Sequence, residues 1–313
     1  MVVLSNNICE SITLKNINTL VIDIQHYIET TEDWFDLATD DYLQRFGREP
    51  YSTGNGLPRR GLRLSALGDR CPRALWYMVH HPEMAESLPA SAKFKYGYGH
   101  IIEALALSLA RLAGHTVEGE QDELVVDGIR GHRDAVVDGC VLDVKSCSSL
   151  SFHKFQNKTL ADSDDFGYLY QLDGYVLGSI DDPIVTVKDK GYFLAIDKTL
   201  GHMVLYEHKY RPTLLQSRIE TYKRIVENPE PPRCQCGTRI VGSSGNIGLD
   251  TRASYSQYKH LCFPELRTFL YRDGTGTKPV HLVKVVRTPD VPELFTMEPK
   301  LPTECRILMQ SMH

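Results

Sequence analysis

The chain contains no apolar run approaching the roughly 18 residues of a membrane span, no internal repeat and no low-complexity tract. These absences exclude a bilayer-spanning helix, a solenoid and a disordered scaffold. Its opening residues, Met1-Val-Val-Leu-Ser-Asn-Asn, lack the basic start and long apolar core of a secretory leader. A cytoplasmic chain with no membrane contact is therefore expected. Cysteine is also sparse: 8 in 313 residues is too few for a disulfide scaffold. In a reducing compartment each is expected to be a small buried residue or a metal ligand. What remains, 42% hydrophobic and 24% charged residues, is the balance of a globular chain with one large domain or two ordinary ones.

The net charge of −5 conceals an uneven distribution. Residues 1–50 carry nine acids against Lys15, Arg45 and Arg48, so the other 263 residues are close to neutral. Two stretches there are each +4: residues 59–73, with Arg59, Arg60, Arg63, Arg70 and Arg73, and residues 209–224, with Lys209, Arg211, Arg218, Lys223 and Arg224. Such stripes suit either a phosphate backbone or a solvated helix face.

Residues 17–47 predict one or two acidic amphipathic helices, and Gly47 to Pro58 is the candidate linker. Helices are further predicted over Ser65–Val79, Phe94–Leu112, Gly167–Gly178 and Leu214–Val226, and strands over Ile184–Ile196 and Met203–Glu207. Between Glu123 and Ser146 the pattern alternates, with turn signals at Asp127-Gly128 and Asp138-Gly139, which predicts a three-stranded meander. Signals weaken beyond Asn228, and the prolines of the last 28 residues predict an extended tail, wrapped on the body or partly disordered. The expected division is an acidic helical region at 1–58, a core at 59–228 and a C-terminal region at 229–313.

A two-residue loop at Asp138-Gly139 sets Val137 opposite Cys140, Val136 opposite Val141, Ala135 opposite Leu142 and Asp134 opposite Asp143. His132 then falls opposite Lys145. One apolar face would carry Arg133, Ala135, Val137, Cys140, Leu142 and Val144, and the other His132, Asp134, Asp143 and Lys145. Opposed carboxylates lie roughly 5 Å apart at Cβ and repel unless compensated. A hard divalent cation compensates them, and Lys145 adds a group able to act on a water or an anionic transition state. A surface ladder neutralised by Lys145 is the plain alternative. His100 and Glu103 share one face of their predicted helix, and so do Gln171 and Tyr175.

Taken in order, Gly99-His100-Ile-Ile-Glu103, Gly131-His-Arg-Asp134, Asp143-Val-Lys145-Ser146 and Gln171-Leu-Asp-Gly-Tyr175 resemble the motif series of the PD-(D/E)XK nuclease superfamily, in its RecB-like branch. With Ser65 to Tyr77 the series is similar to that of CRISPR-associated RecB-like exonucleases and their phage relatives. The resemblance implies an α/β fold with a central mixed β-sheet flanked by helices, a restriction-endonuclease-like core with a helical N-terminal extension. It also implies Mg²⁺ or Mn²⁺, with His100, Glu103, Asp134, Asp143 and the Val144 carbonyl as ligands, Lys145 assisting the attacking water, and Gln171 and Tyr175 bracing the site or touching DNA. Family members commonly have Glu where Asp143 stands.

Several members of that branch hold an iron–sulfur cluster on one early and three late cysteines. The resemblance assigns Cys71, Cys234, Cys236 and Cys262 to a [4Fe–4S] cluster, with zinc as the alternative. The Cys-x-Cys pair followed by 25 residues departs from the family's tighter spacing. Cys9, Cys140, Cys147 and Cys305 are read as structural. The expected function is a metal-dependent DNA exonuclease acting on single strands or duplex ends. Alternatives are a structure-selective endonuclease and a catalytically silent DNA-binding recombination subunit. Trp76, Tyr77, Phe94, Tyr96 and Tyr98 are candidates for base stacking, and the acidic N-terminal helices for a protein partner.

Overall fold

The computed structural model describes residues 15–46, 61–68, 70–273 and 276–294. The expected linker, Arg59, Arg60 and the chain from residue 295 onward lie outside the described residues. Among the described residues no helix is long and apolar enough to cross a membrane.

The acidic stretch forms two helices, α1 (Leu20–Thr30) and α2 (Trp34–Phe46). Their apolar stripe faces the body: Leu20, Ile24 and Ala38 are buried with Leu107, Ala110 and Leu142. Acids of the same segment pair inward, Asp23 with Lys15 at 2.7 Å and with the buried His115 at 3.2 Å.

The single helix predicted over Ser65–Val79 is instead a 3-10 turn at Leu64–Ala66 followed by α3 (Pro72–His80). Pro72 accounts for the break, because a helix running through it from Ser65 would lose an N–H donor and drive the ring into the carbonyl four residues back. At the first helical position the same proline is well placed, and Cys71 becomes the N-cap residue. Helix α4 (Ala90–Leu112) starts earlier than predicted and passes through Gly97 and Gly99.

The central sheet contains β1 (Val117–Glu118), β4 (Ala135–Val137), β5 (Cys140–Cys147), β6 (Val187–Asp197) and β7 (Met203–Lys209), ordered β1-β4-β5-β6-β7. Only the β5/β6 pairing is parallel, so the sheet is mixed, and α5 (Ser149–Gln156) and α6 (Tyr168–Gly178) make the crossover between those strands. Helices α1 and α4 cover one face, over Ala135, Val137, Leu142 and Leu194. Helices α5, α6 and α7 (Pro212–Glu227) cover the other, over Val136, Val141, Phe193 and Ala195. The expected α/β architecture, a mixed sheet flanked by helices, is present.

Two details of the predicted hairpin need correction. The meander is divided: β2 (Glu123–Val126) and β3 (Ile129–His132) form their own two-stranded sheet, so His132 pairs with Glu123 and not with Lys145. The cause is Arg133, which is fully buried and ion-pairs with Asp122 at 2.7 Å and Asp182 at 2.6 Å. A buried guanidinium needs such partners, and reaching them takes the chain out of the sheet between β3 and β4. Arg133 therefore does not share the apolar face, and both faces of the central sheet are packed. The ladder from Ala135–Leu142 to Val137–Cys140 has the predicted register, and Asp138 and Gly139 take the positive φ values of 50° and 76° that a two-residue turn requires.

Beyond α7 the chain forms a second, antiparallel sheet of β8 (Thr238–Val241), β9 (Asn246–Leu249), β10 (Arg267–Asp273), β11 (Gly276–Lys284) and β12 (Glu293–Leu294), with the short helices α8 (Thr251–Ser254) and α9 (Lys259–Cys262). Its sequence signal is weak because β8 is mostly exposed, so no apolar period of two develops. Part of the predicted extended tail is thus strand β12, held to β10 by a bidentate Arg267–Glu293 pair at 2.7 Å.

One contact fastens the loop before α6. Gly167, at φ +72°, lies against Gly68 so closely that any Cβ would collide with the Gly68 Cα. Gly201 has nearly the same φ, +73°, in open space. Gly167→Ala is expected to cost about 3 kcal/mol or more, against about 1 kcal/mol for Gly201→Ala, where only backbone strain applies. Chemical denaturation of both variants measures the difference.

Candidate active site and a four-thiol cluster

Strand β5 brings Asp143 and Lys145 to the side of the sheet covered by α6, since residues two apart on a strand share a face. Both Asp143 carboxylate oxygens are buried; Oδ1 is ion-paired with the Lys145 ammonium at 2.6 Å, and Oδ2 has no hydrogen-bond partner. Asp134 stands just before β4, outside the ladder, and its Oδ2 accepts the Val144 N–H at 2.7 Å. The backbone at Val144 thus fixes one carboxylate while its neighbour Asp143 supplies the other.

Glu103, buried on α4, lies within electrostatic reach of both aspartates. His100 Nδ1 lies 3.8 Å from the Glu103 carboxylate, which raises the imidazole's pKa against the opposing effect of burial. On α6, Gln171 Oε1 accepts from Lys145 at 3.4 Å, and Gln171 Nε2 donates to the Tyr175 hydroxyl at 2.7 Å. Lys145 also sits over the Tyr168 ring, 4.8 Å from its centroid. All the predicted site residues except the thiols therefore meet at one place.

Desolvation, then the charges of Asp143 and Glu103, hold the Asp134 pKa well above the usual carboxylate range. Burial raises Asp143 too, against the pull of Lys145. For Lys145 burial favours the neutral amine, yet Asp143 and Asp134 outweigh it and its pKa rises, so it is an ammonium. Burial pushes the Tyr168 hydroxyl up to about 12. The cluster has more buried negative charge than one ammonium offsets, and the Asp143 Oδ2 has no donor. An oxygen-seeking divalent cation fits that donor set.

Three supports were not legible from spacing. Gln121, at φ +57°, donates its side-chain amide to Glu103 at 2.6 Å and its backbone N–H to the Asp134 carbonyl at 3.2 Å, tying the two carboxylate-bearing segments together. Arg133 anchors the residue before Asp134. Fully buried Asp173 accepts from His208 at 2.8 Å and from Arg211 at 2.9 and 2.7 Å, fixing α6 to β7 and α7. Their partners lie far apart in sequence, and a positive φ at Gln121 leaves no compositional mark.

The second basic stretch is largely engaged within the fold: Arg211 on Asp173, Arg218 over the Tyr170 ring at 4.4 Å, and Lys223 on Asp127 at 2.6 Å. Among the stacking candidates, Trp76 is buried, donating its indole N–H to the Asn228 carbonyl at 2.7 Å, which makes it a packing residue. Phe94, Tyr96 and Tyr98 are exposed on α4.

The four cysteines singled out from the sequence form a compact cluster away from these carboxylates. The sulfurs of Cys71, Cys234, Cys236 and Cys262 all lie within 4.8 Å of one another, with Cys71 Sγ 3.8 Å from Cys234 and 3.7 Å from Cys262. The sulfur of Cys71, at the start of α3, accepts the Gln235 N–H at 3.3 Å, and its contacts with Cys236 and Cys262 lower its pKa. This set could hold a metal. Cys140 and Cys147 are buried, as read for structural cysteines, and their thiols are pushed up to about 11 by burial. Cys9 and Cys305 lie outside the described residues.

No family model and no curated protein matches the chain. Among solved structures, SSO0001 matches at 15% identity with a TM-score of 0.38, over 73% of this chain and 95% of that one. An alkaline exonuclease, LHK-Exo from Laribacter hongkongensis, matches at 13% identity with a TM-score of 0.37, over 55% of this chain and 89% of that one. Likenesses this remote leave the reading of the site to its own side chains.

The charge imbalance has a measurable consequence. A raised Asp134 pKa favours the folded state below about 3.8, its ordinary value, and that contribution disappears as pH rises through the higher folded value. Once ionised, buried Asp134 is destabilising. In metal-free buffer at pH 7, Asp134→Asn is expected to stabilise the protein by about 1–3 kcal/mol, the gain shrinking toward pH 4. Denaturant midpoints across that range test the sign.

Proposed function

We propose that this protein is a divalent-metal-dependent deoxyribonuclease, and an exonuclease in preference to an endonuclease. The observation that carries the reading is the buried Asp143 carboxylate, paired with Lys145 through one oxygen, without a donor on the other, and within electrostatic reach of Asp134. The ordered resemblance to the PD-(D/E)XK series supports it. In this reading the catalytic core spans 59–228, flanked by 1–58 and 229–313.

Glu103, Asp134, Asp143, the Val144 carbonyl and His100 would hold Mg²⁺ or Mn²⁺. When bound, such a cation lowers the pKa of water and offsets phosphate charge. Lys145, held as an ammonium, acts by charge: it stabilises the negative charge that grows on the phosphoryl oxygens during attack. Gln171 and Tyr175 fix the direction of that ammonium, and the Asp173 anchor fixes the helix that carries both.

End-labelled linear DNA is expected to be degraded in Mg²⁺ or Mn²⁺ while covalently closed circles persist. Asp134→Ala, Asp143→Ala and Lys145→Ala should each lower the rate about 100- to 1000-fold. Cleavage that survives all three substitutions overturns the site assignment, cleavage of closed circles makes the enzyme an endonuclease, and DNA binding without cleavage makes it a silent subunit.

For the thiols we propose a [4Fe–4S] cluster that clamps α3 to the C-terminal region. Cys71→Ala and Cys234→Ala are expected to abolish the visible iron–sulfur absorbance and lower the melting temperature on the order of 5–10 °C. Metal content by mass spectrometry separates iron from zinc.

A further inference from the structure

The cluster around Lys145 has an aromatic continuation to the surface. Tyr168, whose ring lies under the ammonium, is stacked on Phe166 with centroids 5.6 Å apart and planes 27° apart. Phe166 in turn meets Tyr255 edge to face at 5.7 Å. Phe166 is 42% exposed and Tyr255 67% exposed, so the row of three rings begins in solvent and ends at the proposed catalytic lysine.

Phe166 belongs to the loop before α6 and Tyr168 opens that helix, whereas Tyr255 follows α8 in the C-terminal region. The Phe166 backbone is held by the Gly68–Gly167 contact described above. Exposed Arg252, 4.0 Å from the Asp250 carboxylate, stands one helical turn before Tyr255. Exposed aromatic faces that run on from a site of this kind suit a flexible chain carrying flat apolar rings.

We propose that the exposed rings of Tyr255 and Phe166, backed by Tyr168, form a base-stacking subsite for single-stranded DNA, leading the unpaired end toward the carboxylate site. The proposal rests on the nuclease reading for its substrate. Stacking is indifferent to base identity, because every base presents a π face, so this subsite selects strand state and not sequence. Duplex bases are already stacked on each other and gain nothing from it.

Binding measured in EDTA separates this proposal from the cleavage reading, since no metal-dependent step is involved. By anisotropy, a fluorescein-labelled oligothymidylate is expected to bind the wild-type chain. Phe166→Ala and Tyr255→Ala should each weaken it about tenfold, Phe166→Tyr and Tyr255→Phe should restore it, and blunt duplex binding should stay within about twofold. Photocrosslinking wild-type protein to an oligomer containing 5-iododeoxyuridine supplies a readout without variants, with adducts expected on the peptides bearing Phe166 and Tyr255. The proposal is overturned if the alanine variants bind oligothymidylate like wild type, or if adducts fall on other peptides. It is equally overturned if the substitutions convert a dimer to a monomer with DNA affinity unchanged, which would make the rings a contact between copies of this chain.

Discussion

Two carboxylates held out of bulk water within reach of each other, with a single ammonium beside them, set the terms for the whole molecule. Ionised groups in such surroundings repel, and neither burial nor Lys145 alone balances them. The fold keeps them there through contacts made elsewhere. The Val144 N–H binds Asp134, Gln121 joins Glu103 to the Asp134 backbone, and Arg133 fixes the chain between β3 and β4. Local instability at the site is thus maintained by a surrounding network that is itself well satisfied.

That division of labour extends to α6. One side of the helix faces the lysine through Gln171 and Tyr175, while Asp173 binds His208 and Arg211. The helix is therefore fixed by charge to β7 and α7 before it positions anything. The same pattern explains why the second basic stretch is largely unavailable to a phosphate backbone. Arg211, Arg218 and Lys223 have partners within the fold.

Much of the site was legible because it depends on short-range periodicity. The Asp138-Gly139 turn fixed the register of the β4–β5 ladder, and helical spacing aligned His100 with Glu103 and Gln171 with Tyr175. The four cysteines were picked out by resemblance, and the fold brings them together. What escaped was set by long-range pairing or by one residue's demand for partners. Nothing near Arg133 announces that it will pull β3 away from β4 toward Asp182, nearly fifty residues on. Pro72 did carry the signal that divides the predicted Ser65–Val79 helix, but the apolar period across it dominated the reading. The second sheet escaped because its outer strand is exposed and has no buried face to set a period.

The position of the thiols in the chain bears on the order in which the molecule is made. Cys71 precedes every strand of the central sheet, and Cys234 follows the last of them. During synthesis all five strands and every carboxylate of the site are present in the growing chain before a second thiol of the cluster exists. The four-thiol set is thus completed late in the chain, after the last strand of the central sheet. A chain ending after α7 would hold every carboxylate of the site and, of the four clustered thiols, Cys71 alone.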